Sequence, residues 1–136
     1  MQRREFLALS AAAVAFSAVA AHAAEPAAYS EQLVAQELAA GKTVLIDFTA
    51  SWCSSCQAQG RAIQALRDEN PAYDAAITFV EADWDAYQGT PLAKQYGITR
   101  RGSLVILRGN EVLAQTSTHS SKDALRALLD QAAAGA

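Results

Sequence analysis

The two cysteines of the chain, Cys53 and Cys56, are separated by two residues and lie between a predicted strand and a predicted helix. The strand is the apolar run over residues 43–50, and the helix continues to about Asn70. A first cysteine at the start of a helix faces unpaired backbone N–H groups and the positive end of the helix dipole, which favour a thiolate. The spacing therefore predicts a redox-active dithiol within a strand–turn–helix unit.

The first 23 residues have the composition of an export signal. Arg3 and Arg4 precede an apolar, alanine-rich run over residues 7–21, and residues 21–23 read Ala-His-Ala. A charged start, an apolar middle and a small-residue end are typical of a signal peptide. The arginine pair resembles the twin-arginine export signal of bacteria, with the ordinary secretory route as an alternative. We therefore expect a periplasmic protein without stable membrane insertion, because the apolar run is shorter than the roughly 20 residues of a spanning helix.

Residues 29–133 are expected to form one domain, preceded by a mobile leader over residues 24–28. Without its first 23 residues the chain carries nine basic and thirteen acidic side chains, which gives a net charge of −4. This mildly acidic balance provides no footprint for nucleic acid or anionic lipid. A domain of this length can bury a core without cross-links. The cysteine pair is therefore not needed as a structural staple.

Apolar periodicity and turn residues predict the element order α, β, α, β, α, β, β, α. Helices are expected over residues 30–40, 53–70 and 91–96 and from Ser120 onward, and strands over residues 43–50, 77–82, 104–107 and 112–116. Ser30 is expected to cap the first helix, and Ser120 with Asp123 forms a capping box for the last. Gly109-Asn110 joins the last two strands as a hairpin. Residues 83–90 are polar and are expected to form a loop.

Three motifs make the sequence similar to the thioredoxin family over roughly residues 29–133. They are Trp52-Cys53-Ser54-Ser55-Cys56, the acid Asp47 six residues before Cys53, and Tyr96-Gly97-Ile98 followed by the hairpin at residues 104–112. The resemblance implies an α/β fold with a central mixed sheet of about four strands, flanked by helices on both faces. Residues 48–53 are also similar to the exported domain of the membrane-linked disulfide reductases that serve cytochrome c maturation.

The resemblance implies a thiol–disulfide oxidoreductase that acts on protein thiols and disulfides, in the reductive direction, with a membrane electron donor and no cofactor beyond its cysteine pair. Cys53 would attack a disulfide as a thiolate, and Cys56 would resolve the mixed disulfide. Asp47 would accept a proton from Cys56 through water, since burial raises the pKa of a carboxyl; the alternative is an acid that meets solvent at a strand end. Trp52 would shield the dithiol or, alternatively, belong to the core.

One departure from the family lies at Gly102, in the register where the family has a cis-proline facing the dithiol. A cis bond before another residue costs about 2.5–4 kcal/mol, so we expect a trans bond here. Arg101, Gly102 and Ser103, together with the tryptophan, are expected to line the substrate groove. Arg100 and Arg101 could stabilise the Cys53 thiolate, recognise an acidic partner, or form a solvated surface pair.

Metal binding is the main alternative to redox chemistry. Metal sites with two cysteines generally have a second ligand pair, and the chain has no further cysteine. His119 is the only histidine after the signal. We therefore expect no resident metal and no metal-ligating residue. The rival function is a module, or a chaperone, that binds a soft metal such as Cu(I) through the same cysteine pair.

Overall fold

The computed structural model describes residues 22–117 and 121–135, in which five strands form one mixed sheet in the order β1-β3-β2-β4-β5. The strands are β1 (Ala27–Ala28), β2 (Thr43–Thr49), β3 (Ile77–Asp83), β4 (Leu104–Arg108) and β5 (Glu111–Thr116). Strand β2 pairs in parallel with β3 and antiparallel with β4. The predicted mixed sheet is confirmed, with one strand more than the expected four.

The additional strand is β1, which the sequence analysis placed in a mobile leader over residues 24–28. Ala27 and Ala28 pair in parallel with Val80 and Glu81 of β3, so the leader prediction is wrong for these two residues. Two alanines carry no hydrophobic pattern, and it is the backbone of the free edge of β3 that holds them. The predicted signal peptide lies outside the described residues, apart from its last two positions.

Within the described residues six helices accompany the sheet: α1 (Glu31–Ala39), α2 (Ser54–Glu69), α3 (Ala72–Ala76), α4 (Trp84–Tyr87), α5 (Pro91–Gln95) and α6 (Lys122–Ala133). The predicted cap of α1 is confirmed, because the Ser30 side chain accepts a hydrogen bond from the Leu33 amide at 3.0 Å. The last helix is instead capped by Ser121, which accepts from the Ala124 amide at 3.2 Å. Ser120 lies outside the described residues.

Two short helices differ from the sequence prediction. Helix α4 lies within residues 83–90, where we expected a loop, and Asp83 caps it by accepting from the Asp85 amide at 3.1 Å. Helix α3 follows Pro71 directly and has five residues. Both helices are too short to show a 3.6-residue periodicity, so neither was predicted.

The sheet has an apolar core on each face. Helices α2, α3 and α6 cover one face, and α1 and α5 cover the other. Alternate residues of β2 point to opposite faces, so Leu45 faces the α2 side and Ile46 the α1 side. The same alternation turns Asp47 toward α2, the helix that begins at the cysteines. None of the described helices is long and apolar enough to cross a membrane.

Candidate active site

Cys53 and Cys56 form a disulfide at the start of α2, with their Cα atoms 5.2 Å apart. Cys53 occupies the N-cap position, and its Sγ accepts a hydrogen bond from the Cys56 amide at 3.2 Å. The sulfur thus takes the place of the oxygen that usually caps a helix. This confirms the predicted position of the first sulfur at a helix N-terminus. Its role as the attacking nucleophile stays a prediction.

Both cysteines are buried, with exposed fractions of 3% for Cys53 and 1% for Cys56. Ala50, directly after β2, packs against them together with the partly buried Trp84 of α4. The exposed fractions of the two cysteines therefore differ little in the oxidised form. A substrate must therefore displace the neighbouring side chains before it can reach the Cys53 sulfur.

The Arg101 side chain lies against the first sulfur, which also has the Ser55 hydroxyl 3.6 Å away. Its Nε–H donates to the Cys53 Sγ at 3.3 Å, and its guanidinium carbon lies 4.8 Å from the ring centroid of Trp52. The indole Nε1–H in turn donates to the Asp85 Oδ2 at 2.8 Å. These contacts hold a positive charge at the sulfur, where it favours the thiolate over the thiol. Of the three roles considered for this arginine, contact with Cys53 is the one that its geometry supports.

The tryptophan and the neighbouring arginine lie at the surface. Trp52 is 58% exposed, so the alternative that it belongs to the core is wrong. Arg100 is exposed, and its carbonyl accepts a hydrogen bond from the Ser103 hydroxyl at 2.7 Å. Trp52 and Arg101 are therefore part of the exposed surface next to the disulfide.

Gly102 follows that arginine with a φ of +81°, and none of the described peptide bonds is cis, as we expected for this position. Its amide donates to the Phe48 carbonyl at 2.6 Å, and its carbonyl accepts from the Gln59 Nε2 at 2.9 Å. A positive φ is strained for residues with a Cβ atom. Gly102 and Ser103 are both buried, so this part of the predicted groove contributes backbone support rather than accessible side chains.

Asp47 is 5% exposed on β2, beneath α2. Burial, with the Glu81 charge as a second cause, raises the pKa of its carboxyl from 3.8 to about 7. Its Oδ1 has no hydrogen-bond partner among the described residues. The alternative of an acid that meets solvent at a strand end is therefore wrong. Proton transfer with Cys56 stays a prediction.

Glu81 belongs to this site, although no sequence motif indicated it. It lies directly opposite Asp47 in the parallel pairing of β2 with β3. Glu81 lies on the α2 face of β3, as do Phe79 and Asp83, because alternate residues of a strand share a face. This alternation indicates that Glu81 lies beside Asp47 only when the register of the two strands is known.

The described residues contain no group of three or more His, Cys, Asp or Glu side chains that could hold a metal ion. A metal at the cysteine pair would therefore have Cys53 and Cys56 as its ligands from this part of the chain. His119 lies outside the described residues. The structure thus adds no further ligand to the metal alternative.

Comparison with known proteins places this geometry in a family. The thioredoxin family model matches residues 21–131. Thioredoxin C-2 of Corynebacterium nephridii is 31% identical over 101 residues, which cover 74% of this chain and 89% of that protein. A thioredoxin of Chlorobaculum thiosulfatiphilum is 30% identical over 90 residues, which cover 66% of this chain and 79% of that protein.

Solved structures show the same fold. The thioredoxin of Malassezia sympodialis superimposes with a TM-score of 0.69 at 23% identity, over 84% of this chain and 96% of that one. Trxlp from Edwardsiella tarda gives a TM-score of 0.68 at 24% identity, over 77% and 98% of the two chains. The chain therefore belongs to the thioredoxin family and is a thiol–disulfide oxidoreductase with Cys53 and Cys56 as its cysteine pair.

Proposed function

We propose that this oxidoreductase is exported to the bacterial periplasm and there reduces disulfide bonds of exported proteins, with electrons from a membrane donor. The observation that carries the chemical part is the Cys53 sulfur at the N-cap of α2, with the Arg101 Nε 3.3 Å away. A helix N-terminus and a cation both stabilise a thiolate, which is the attacking species in disulfide exchange. Export is supported by the signal-like composition of residues 1–23.

The reduction would proceed in two exchange steps. The Cys53 thiolate attacks one sulfur of the substrate disulfide, and the other substrate sulfur leaves as a thiolate. Cys56 then transfers its proton to Asp47 and attacks Cys53, which releases the reduced substrate and leaves the Cys53–Cys56 disulfide. Two electrons and two protons from the donor restore the dithiol. A base with a pKa of about 7 suits this step, because both of its protonation states are populated near neutral pH.

The same Arg101 contact favours a second candidate function, the donation of disulfides to exported proteins. A cation at Cys53 stabilises the reduced form, and this raises the reduction potential of the pair. Equilibration with glutathione buffers separates the two functions. A potential near the thioredoxin value of about −270 mV supports the reductase, whereas a value near that of strong oxidants, about −120 mV, refutes it and supports the donor.

The substrates can be captured through the resolving cysteine. A Cys56→Ala variant should retain its substrate on Cys53 as a mixed disulfide, which mass spectrometry of a periplasmic extract would identify. A Cys53→Ala variant is the matched control, since its remaining cysteine is 1% exposed. Capture of the same proteins by both variants would contradict the assignment of Cys53 as the nucleophile.

Export can be tested separately from the chemistry. Replacing Arg3 and Arg4 with lysine keeps the charge but removes the pair that the twin-arginine route reads. We expect the precursor to accumulate in the cytoplasm, as fractionation and immunoblotting would show. Unchanged export of this variant would favour the ordinary secretory route, and a cytoplasmic wild-type protein would refute the periplasmic location.

A further inference from the structure

Two carboxylates share a small cavity between the sheet and α2. Asp47 of β2 and Glu81 of β3 are paired in register on neighbouring parallel strands, so their side chains leave the sheet on the same face. Both line a cavity of about 20 Å³, which Ile63 and Gln64 of α2 cover from above. A cavity of this size has room for one water molecule, and the Asp47 Oδ1 has no protein partner among the described residues. A water there would satisfy that oxygen.

Glu81 also connects this cavity with the solvent. Glu81 is exposed at the surface, and it lines an open groove of about 460 Å³ together with Gln57, Asp83 and Asp85. Asp47 lines the small inner cavity but not the open groove. Glu81 and Pro26 line both spaces, and of these two side chains only Glu81 can carry a proton between the inner cavity and the surface.

The charges around the cavity leave Glu81 as the main electrostatic neighbour of Asp47. Arg67 of α2 lines the cavity, but its Nε donates to the Asp74 carboxylate at 2.7 Å and its guanidinium lies 4.2 Å from the Phe79 ring centroid. Glu25, before β1, adds a further negative charge that helps to raise the pKa of Glu81 after the effect of burial. No cation among these groups is free to neutralise the acid pair.

The remaining groups near the pair do not change this balance. Strand β4 pairs with β2 on its other side and places the apolar Leu104 opposite Asp47. Apart from Arg67, helix α2 contributes only uncharged residues to the cavity lining. Asp83 follows two residues after Glu81 on the same face and lines the outer groove rather than the inner cavity.

We propose that Glu81 acts on Asp47 as a positioning residue. Glu81 makes the Asp47 carboxylate a stronger base and exchanges the Asp47 proton with solvent through one water in the shared cavity. The proposal rests on the proposed function, in which Asp47 accepts the proton of Cys56. After that transfer the Asp47 carboxylic acid passes a proton to the water, the water passes one to the Glu81 carboxylate, and Glu81 releases it to solvent. The reverse sequence protonates Cys56 when the donor reduces the disulfide.

A first experiment measures the electrostatic link without any catalysis. The Asp47 carboxyl is titrated by carbon-13 NMR in the oxidised protein, where neither cysteine titrates. In a Glu81→Gln variant we expect its midpoint to fall by about one pH unit, because a like charge beside it is lost. Asp83→Asn is the matched control and should leave the midpoint unchanged. An unchanged midpoint in E81Q, or an equal fall in the control, would overturn the proposal.

A second experiment measures the proton path during resolution. Cys53 is loaded with a chromogenic aromatic thiol as a mixed disulfide, and its release by Cys56 is followed across pH. We expect Glu81→Gln to slow release several-fold above the Asp47 midpoint while the first attack by Cys53 keeps its rate. An unchanged release rate overturns the relay. If Asp47→Asn also releases at the wild-type rate, the base assignment in the proposed function fails, whatever the NMR titration shows.

Discussion

The buried carboxyl of Asp47 predicts that the protein becomes less stable as the pH rises from about 4 to about 7. Its pKa is raised from 3.8 to about 7 in the folded protein, so the folded state binds this proton more tightly than the unfolded chain does. The stabilisation that this tighter proton binding provides is fully present below the pKa of Asp47 in the unfolded chain. It is lost as the pH rises through the pKa of Asp47 in the folded protein. Glu81, whose pKa is also raised, acts in the same direction.

The size of this loss follows from the pKa of Asp47. Each tenfold change in an ionisation constant corresponds to about 1.4 kcal/mol, so a carboxyl moved from 3.8 to about 7 costs about 4 kcal/mol once it is fully ionised. In an Asp47→Asn variant this pH-dependent part is absent. The free energy of unfolding of the wild type should therefore fall by about 4 kcal/mol relative to the variant between pH 4 and pH 8.

The assay is urea denaturation of the oxidised protein at several pH values, since the disulfide removes the titration of the cysteines. The asparagine side chain of the variant also changes the free energy of unfolding by an amount that does not depend on pH. The comparison therefore uses the slope of the free energy of unfolding against pH rather than its absolute value. Asp123→Asn is the control, because the side chain of Asp123 is 94% exposed and its loss should leave the slope unchanged. Parallel curves for the wild type and Asp47→Asn would refute the assignment of a buried, proton-binding acid.

Two further predictions concern the turn that faces the disulfide, and a third concerns α2. Arg101→Gln should slow the alkylation of reduced Cys53 several-fold near neutral pH, because a cation that stabilises its thiolate is lost, whereas Arg100→Gln should leave the rate unchanged; an equal effect of the two would refute a specific contact. Gly102→Ala should lower the free energy of unfolding by about 1–2 kcal/mol, because its φ is +81°. Gly60→Ala in α2, where a Cβ meets nothing within 4 Å, should instead stabilise the protein by about 0.5–1 kcal/mol in the same denaturation assay.

Local features of the fold could be predicted from the sequence because their causes are local. The Ser30 cap, the buried strand at residues 43–49 and the helix that begins after Cys53 all follow from residue types and periodicity over a few positions. Short elements without a local signal escaped prediction, whereas the five-residue α5 was predicted because Pro91 marks its start. Helices α3 and α4 and strand β1 have at most five residues each, too few to form a pattern.

By itself the sequence determined that a cysteine pair begins a helix after a buried strand, and that an acid interrupts this strand at Asp47. Only the tertiary structure decided which groups surround them. Arg101 is 48 residues from Cys53 along the chain, and contact between them depends on how the turn before β4 returns to α2. Glu81 meets Asp47 through the register of two strands, and a shift of one residue would turn it to the opposite face. Such contacts depend on packing over the whole domain, which no local pattern encodes.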